Sequence, residues 1–518
     1  MSSTPANTKR IAKNTLVLYV RMLFLMLISL YTSRVILEAL GVEDFGVYNV
    51  VGGFVALFAI VSRSLSGAAS RFLNYEMGKG NNERLRIVFS TTLSIQFLLA
   101  IIILILVETV GLWFLNNKMV IPIERLNAAN WVFQFSVLTF CFNLLTTPYN
   151  AAIIAHERMS VFAYFSIFEG IAKLLICYMV IISPFDRLII YSFFIFLIQF
   201  IVRSFYQWYC KKYFQECRYR FVVDKPLLKE IFSYSFWNLI GTSSVILRSQ
   251  GGNVLINLFG GPVVNAARAI ANQVLHAVHS FVDNFFTALR PQIMQSYASG
   301  DWRYMMTLIF QGARLSYYML FLLCLPLLLN TDYLLHFWLK TVPDHSVLFV
   351  RLTLVFSMIE SISSTLIIAQ LATGKIRNYQ LAVGGLQIMN FPVSYVILKC
   401  GGVPETILYV AIFIGICCLL TRIYMLRNMI NLSAVEFIKK VIINISLVSF
   451  VASIIPYFAF KTSQNSFTSF FYVTILCFVS TIISILYVGC NKAERQFVYA
   501  KVEKIFMKVR FGDKKRTG

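Results

Sequence analysis

Apolar runs of about twenty residues follow one another along almost the whole chain, separated by short polar connections. A helix rises ~1.5 Å per residue, so a run of ~20 crosses a hydrocarbon layer ~30 Å thick. Fourteen such runs are legible, at 14–33, 46–66, 87–110, 127–150, 160–182, 188–209, 232–259, 263–289, 307–330, 347–371, 379–398, 405–426, 441–460 and 467–488. The pattern predicts an all-α integral membrane protein. Within the eighth run the polar residues have a helical period of their own. Asn272, His276, His279 and Asp283 recur at i+4, i+3 and i+4, and Val274, Val278, Phe281 and Phe285 fall opposite. That spacing predicts one face turned to packing or lipid and the other to water.

The longest and most basic connection, Tyr209 to Glu230, carries Lys211, Lys212, Arg218, Arg220, Lys225 and Lys229. It divides the first twelve spans into six and six. The expected organisation is a first bundle over 1–209, a basic linker over 210–230, a second bundle over 231–426, two further spans within 427–488 and a basic tail over 489–518. A shift of 219 positions superposes Gly41 on Gly260, Arg71 on Arg290 and Arg84 on Arg303. Repeats of this kind are common among transporters.

Composition agrees: 58% of the 518 residues are hydrophobic and only 13% charged, against roughly 25% charged in a soluble domain. The connections are too short for a soluble catalytic domain. The net charge of +23 does not call for nucleic acid, because its placement explains it. With the N-terminus in the cytoplasm, about thirty of the 46 Lys and Arg fall in connections on that side and about seven outside, a positive-inside bias that sets both termini in the cytoplasm. The tail from Lys492 to Arg516 is expected to meet anionic lipid heads or solvent. Lys9, Arg10 and Lys13 precede a long first run with no small-residue cleavage site, so that run is expected to be retained. The ten cysteines form no spaced framework, which supports neither disulfides nor zinc.

Several spans carry a lone arginine. A guanidinium in hydrocarbon costs at least ~2.5–3.5 kcal/mol, so it seeks a wet interior or a partner. Arg21, Arg63, Arg248, Arg268 and Arg351 are the candidates for lining a cationic path. Arg203 and Arg314 lie near enough to a span end to snorkel. Arg248 sits beside Gln250, Gly251, Gly252 and Asn253, where paired glycines permit a kink; its alternative role is a structural pair with a carboxylate such as Asp283. Arg268, Asn272, His276 and His279 are candidate cavity residues. The intramembrane acids Asp283, Glu169 and Glu360 are the candidates for coupling to a proton or sodium ion, although Glu169 stands four residues before Lys173, the order that favours an intrahelical pair. The His-x2-His-x3-Asp spacing shares one face, but histidines on such a helix more often bond to neighbours or substrate; no metal and no bound cofactor are expected. The excess of buried cations fits an anionic cargo better than a cationic one. No G-x-x-x-x-G-K-[ST] loop is present, and no outer connection pairs acids as a glycan-assembly enzyme would. A transporter is therefore expected, not an enzyme.

The stretches SRVILEALGVEDFGVYNVVGGFVALF and NVLINLFGGPVVNAARAIANQVLHAVHSFVDNFFTALRPQIMQSYASG resemble the Wzx-type polysaccharide flippases, the O-antigen and capsule transporters of the superfamily that also holds the multidrug and toxic compound extrusion (MATE) transporters. The resemblance implies two six-helix lobes in a V around a central cavity, plus two C-terminal helices, in a bacterial inner membrane. It implies alternating access and a substrate of undecaprenyl-diphosphate-linked oligosaccharide turned from the cytoplasmic to the periplasmic leaflet. Membrane lipids, a polysaccharide polymerase and glycosyltransferases are the partners it suggests. A drug/cation antiporter of the same superfamily is the alternative within transporters.

Overall fold

The computed structural model describes residues 3–496 apart from 57–58, 118–120, 223, 340–341, 463–465 and 493, and leaves some side chains within 3–9, 30–63 and 257–266 undescribed. Among the described residues every regular element is helical. The helix boundaries follow from local chemistry. Asn81 accepts from the Arg84 amide to start Asn82–Leu106, Asp186 accepts from Leu188 and Ile189 to start Arg187–Tyr213, and Asp224 accepts from Leu227 to start Lys225–Ser299. Each supplies an oxygen to an amide that has no partner inside its helix. Gly300 closes Lys225–Ser299 in the left-handed region at φ 75, a conformation that costs glycine nothing. Gly41 does the same inside Ser3–Ala56 at φ 79 and divides that helix. Gly260, its expected counterpart, lies within the continuous Lys225–Ser299 helix, so the two positions do not share a backbone role.

Among the described residues eleven helices are long and apolar enough to cross a membrane, which makes this a multi-pass membrane protein. The expected spans at 46–66, 232–259 and 263–289 are not among the eleven. The first includes 57–58, outside the described residues; the latter two lie in Lys225–Ser299 but are diluted by Asn238, Arg248, Gln250 and Asn253 and by the polar residues of the eighth run.

The chain divides into two compact units. The first comprises 1–247, 283–308 and 367–385, the second 248–282, 309–366 and 386–518. Each unit thus draws on stretches from more than one part of the chain. In the first unit the joins are polar and close. Ser64 donates to the Ser235 carbonyl at 2.7 Å, Asn238 to the Ser64 carbonyl at 3.1 Å, and Gln295 to the Ala155 carbonyl at 2.8 Å. Helices approach here at small residues: a methyl added at Gly67 would meet the Asn238 amide at 2.8 Å, and one at Gly78 would meet Ala298 at 2.8 Å. The basic connection is held down by Arg84, which reaches Asp224 at 2.8 Å, and by Arg86, which donates to the Arg218 carbonyl.

In the second unit Ser346–Thr373 is the most enclosed of the spanning helices, with two-thirds of its apolar window buried. Thr365 donates to the Ile309 carbonyl and Ser316 to the Ser361 carbonyl. Arg314 does not snorkel: it is mostly buried, pairs with Glu494 at 2.6 Å and donates to the Gly489 carbonyl. Ala434–Thr462 and Phe467–Gly489 are among the least buried spans. Phe450, Phe458, Phe471 and Tyr472 stand exposed along them, as lipid-facing side chains do.

Candidate functional site

Both units place cations inside long helices. In the second, Arg248 donates from Nη1 to Glu360 Oε1 at 2.9 Å and lies over the Phe356 ring, 4.7 Å from its centroid. Its side chain is 12% exposed and that of Glu360 31%. The sequence offered Asp283 as one possible partner; the fold supplies Glu360 instead. His279 and Arg422 are within electrostatic reach of the same carboxylate. Arg268 is within reach of Arg248 and donates to the Thr353 hydroxyl at 3.2 Å, while its buried Nε meets no partner among the described residues. A guanidinium has five N–H donors, so such a pair of arginines keeps donors in hand for a further oxyanion.

The polar stripe of the eighth run follows its period in part. Opposite it Val274, Val278 and Phe285 are buried but Phe281 is half-buried, while His276 and Asp283 are exposed and Asn272 and His279 half-buried. Asp283 opens the stretch that belongs to the first unit. A face carrying histidines and a carboxylate cannot rest on hydrocarbon without a cost of several kcal/mol per unsatisfied group.

In the first unit a second network crosses four helices. Lys173 pairs with Glu169 at 2.6 Å, the intrahelical pair that the spacing predicts. Gln199 donates to Glu169 at 2.8 Å, and Arg203 donates to Gln199 at 3.2 Å and to Asn143 at 2.7 Å. Arg21 lies 4.5 Å from the centroid of the Phe162 ring and within electrostatic reach of Glu169. Arg203 therefore belongs to the network instead of snorkelling. Its signal was available, a lone arginine four residues after Gln199, but the partner Asn143 is 60 residues away. Arg422, almost wholly buried, was missed for a related reason. It stands near a span end in CCLLTRIYML, where an arginine is expected to reach the surface.

Arg351 is committed elsewhere, to the Leu328 carbonyl at 3.1 Å and the Thr331 hydroxyl at 3.3 Å. There it satisfies the end of Trp302–Leu329. The side chain of Arg63 is outside the described residues. Among the described residues no group of three or more His, Cys, Asp or Glu is arranged to hold a metal ion.

Outside the spans, the Asp186 carboxyl is opposed by burial yet held below the usual carboxylate range by Arg125 and the Leu188 and Ile189 amides. Arg125 joins Asp186 at 2.6 Å and also Asp44. Glu157 behaves oppositely: burial pushes its carboxyl up despite Arg10 at 2.6 Å and Gln292.

Helices of this length make the chain a multi-pass membrane protein, and comparison with solved structures bears out a MATE-like fold. The chain is similar to a MATE transporter crystallised in complex with MaD3S (12% identity, 82% of this chain and 97% of that one, TM-score 0.69). It is equally similar to the outward-facing conformation of a multidrug resistance MATE family transporter of the MOP superfamily (12%, 82% and 96%, TM-score 0.70). A third is a MOP superfamily transporter from Pyrococcus furiosus Vc1 (DSM3638), whose binding pocket is described as of reverse polarity, suggesting a different function (12%, 82% and 96%, TM-score 0.67). No match is found among curated protein sequences. Residues 11–297, more than half of the chain, match the family of polysaccharide biosynthesis proteins. The chain belongs to that family.

Proposed function

We propose that this transporter carries a diphosphate-linked, lipid-anchored oligosaccharide from the cytoplasmic to the periplasmic leaflet of a bacterial inner membrane, for surface polysaccharide assembly. The single observation that carries the reading is the sign of the intramembrane charge. Arg21, Arg203, Arg248, Arg268 and Arg422 are held inside helices, while Glu169 and Glu360 are each engaged by a basic side chain. A drug-cation carrier needs carboxylates free for its cargo; here Glu169 and Glu360 are spoken for, and Asp283 is the one acid of the three left exposed without an ion pair among the described residues. The P. furiosus transporter of the same fold, with its pocket of reverse polarity, supports treating pocket polarity as a mark of function on this architecture. Arginine suits a diphosphate because its fork meets two oxyanions at once and keeps its charge. The exposed stripe Asn272, His276, His279 and Asp283 supplies hydrogen bonds for sugars, and the lipid tail stays in the bilayer.

In this reading Glu360 holds Arg248 until the diphosphate competes for it, and the binding energy drives one step of alternating access. Asp283 is the remaining candidate for a proton or sodium ion, and a downhill gradient of glycolipid made inside and consumed outside supplies drive without one. The basic connections set both termini in the cytoplasm. The test is restoration of surface polysaccharide by the full chain in a bacterial strain that lacks its own flippase and expresses the matching glycan genes. Restoration supports the proposal. Failure to restore, together with resistance to cationic dyes, replaces it with the antiporter.

A further inference from the structure

A cavity of about 570 Å³ in the first unit lies at the end of the longest basic connection, where Pro226, Lys229 and Glu230 line it. Its wall is formed by Lys229, Trp237, Lys375 and Arg377 with Glu230 and Tyr234. Lys229, Lys375 and Arg377 are exposed, and among the described residues none of them forms an ion pair. Arg377 is 5.4 Å from the centroid of the Trp237 ring and opens the helix Arg377–Ile388, whose first amides have no intrahelical partner.

The acid in the wall does not cancel these charges, because Glu230 turns to Arg71 at 3.5 Å. Arg71 itself is 5% exposed. It lies behind the wall, against Gly374 and within 5.7 Å of the Tyr234 ring, and its buried Nε meets no partner among the described residues. The cavity thus has three cations around its mouth, with the Arg71–Glu230 pair behind them, a concentration of positive charge that nothing in the transport reading uses.

The next face of the same helix is apolar. Phe232, Ser235, Phe236 and Leu239 line a crevice of about 220 Å³ with Leu65, Ile95 and Leu98. Between crevice and cavity runs an exposed strip, Lys229, Phe232, Ser233 and Phe236, at i, i+3, i+4 and i+7. Lysine stands at the interface end of that strip and phenylalanine about one to two turns deeper, the order of a phospholipid's own headgroup and chain.

We propose that the cavity binds the phosphate headgroup of an anionic lipid in the cytoplasmic leaflet, with an acyl chain along Phe232 and Phe236 toward the apolar crevice. An acidic peptide would satisfy the cations but leave this apolar strip uncovered. The site is independent of the transported cargo and stands even if the glycolipid reading falls.

The test is native mass spectrometry of the purified full chain, scoring retained phosphatidylglycerol against phosphatidylcholine. Wild type retains phosphatidylglycerol preferentially. The Lys229→Gln/Arg377→Gln variant lowers that retention roughly 30-fold, about fivefold for each cation near the surface. Lys211→Gln/Lys212→Gln, which removes two basic residues outside the cavity, leaves it unchanged. Equal loss in both double variants, or no loss in either, overturns the proposal. Should Lys229→Gln/Arg377→Gln fail to fold, Lys375→Glu, on an exposed turn, decides the matter by lowering retention or leaving it intact. Adding undecaprenyl diphosphate separates the two sources of lipid phosphate: displacement of phosphatidylglycerol assigns the cavity to the lipid-linked diphosphate, and persistence assigns it to resident phospholipid.

Discussion

Removing the Arg248 side chain separates a substrate contact from a structural pair. Breaking a fully buried ion pair by deleting one partner costs ~3–5 kcal/mol. Here Glu360 keeps 31% of its side chain exposed, and Arg422 and His279 remain in reach, so Arg248→Ala should lower stability by about 2 kcal/mol. Glu360→Gln leaves the guanidinium over Phe356, a contact of ~0.5–2 kcal/mol, and should cost about 1 kcal/mol. The double variant should fall short of additivity by about 1–2 kcal/mol. Transport separates the roles further. A charge-assisted hydrogen bond to an anion is worth ~1.5–3 kcal/mol, so Arg248→Ala should lower restoration of surface polysaccharide by roughly 10- to 150-fold. Glu360→Gln frees the same arginine for the diphosphate and should retain restoration. The assay scores surface polysaccharide at matched membrane levels, beside thermal melts of the purified variants. If Arg248→Ala restores as wild type does, or if both variants lose transport in proportion to their loss of stability, Arg248 is structural and the cationic path is refuted at its centre.

Glu157 should make stability depend on pH. Burial raises its carboxyl above the ordinary value, so the folded state favours the proton. Its contribution is most favourable below the ordinary glutamate value near ~4.3 and is lost as pH rises through the raised value. Melting temperatures should show wild type losing ground to Glu157→Gln over that rise, and a constant difference would contradict the assignment. At Gly78, where an added methyl meets Ala298 at 2.8 Å, Gly78→Val should cost about 1–3 kcal/mol by overpacking; a melt at or above wild type would show that the helices yield freely. Arg125→Ala removes pairs to Asp44 and Asp186, each partly exposed, and should cost about 1–2 kcal/mol. Asp186→Ala should cost more than Asp44→Ala by about 1 kcal/mol, because Asp186 also caps Leu188 and Ile189, and equal melts would remove the cap from the account. Asp283→Ala should abolish any dependence of polysaccharide restoration on the ion gradient if Asp283 couples transport, whereas an unchanged dependence on that gradient excludes it.

The membrane class and the polar stripe were legible because both rest on local periodicity. A run of twenty apolar residues crosses a bilayer wherever it lies in the chain, and the stripe from Asn272 to Asp283 needs only 3.6 residues per turn. The Glu169–Lys173 pair was legible for the same reason. Partnerships across helices were not. Nothing in the wording around Arg248 names Glu360, 112 residues on, and nothing near Arg203 names Asn143.

The amino-acid sequence by itself determined that the chain lives in a membrane and that its apolar runs hold more cations than acids. Composition and spacing carry these properties, and each is summed along the chain. Only the tertiary structure decided which cations are spoken for: Arg351 by the end of a helix, Arg314 by Glu494, Arg203 by Asn143, and Arg248 by Glu360. An arginine in an apolar run announces a need for a partner, because leaving it alone in hydrocarbon is expensive. Which group meets that need is a matter of three-dimensional distance, and helices far apart in the chain supply it.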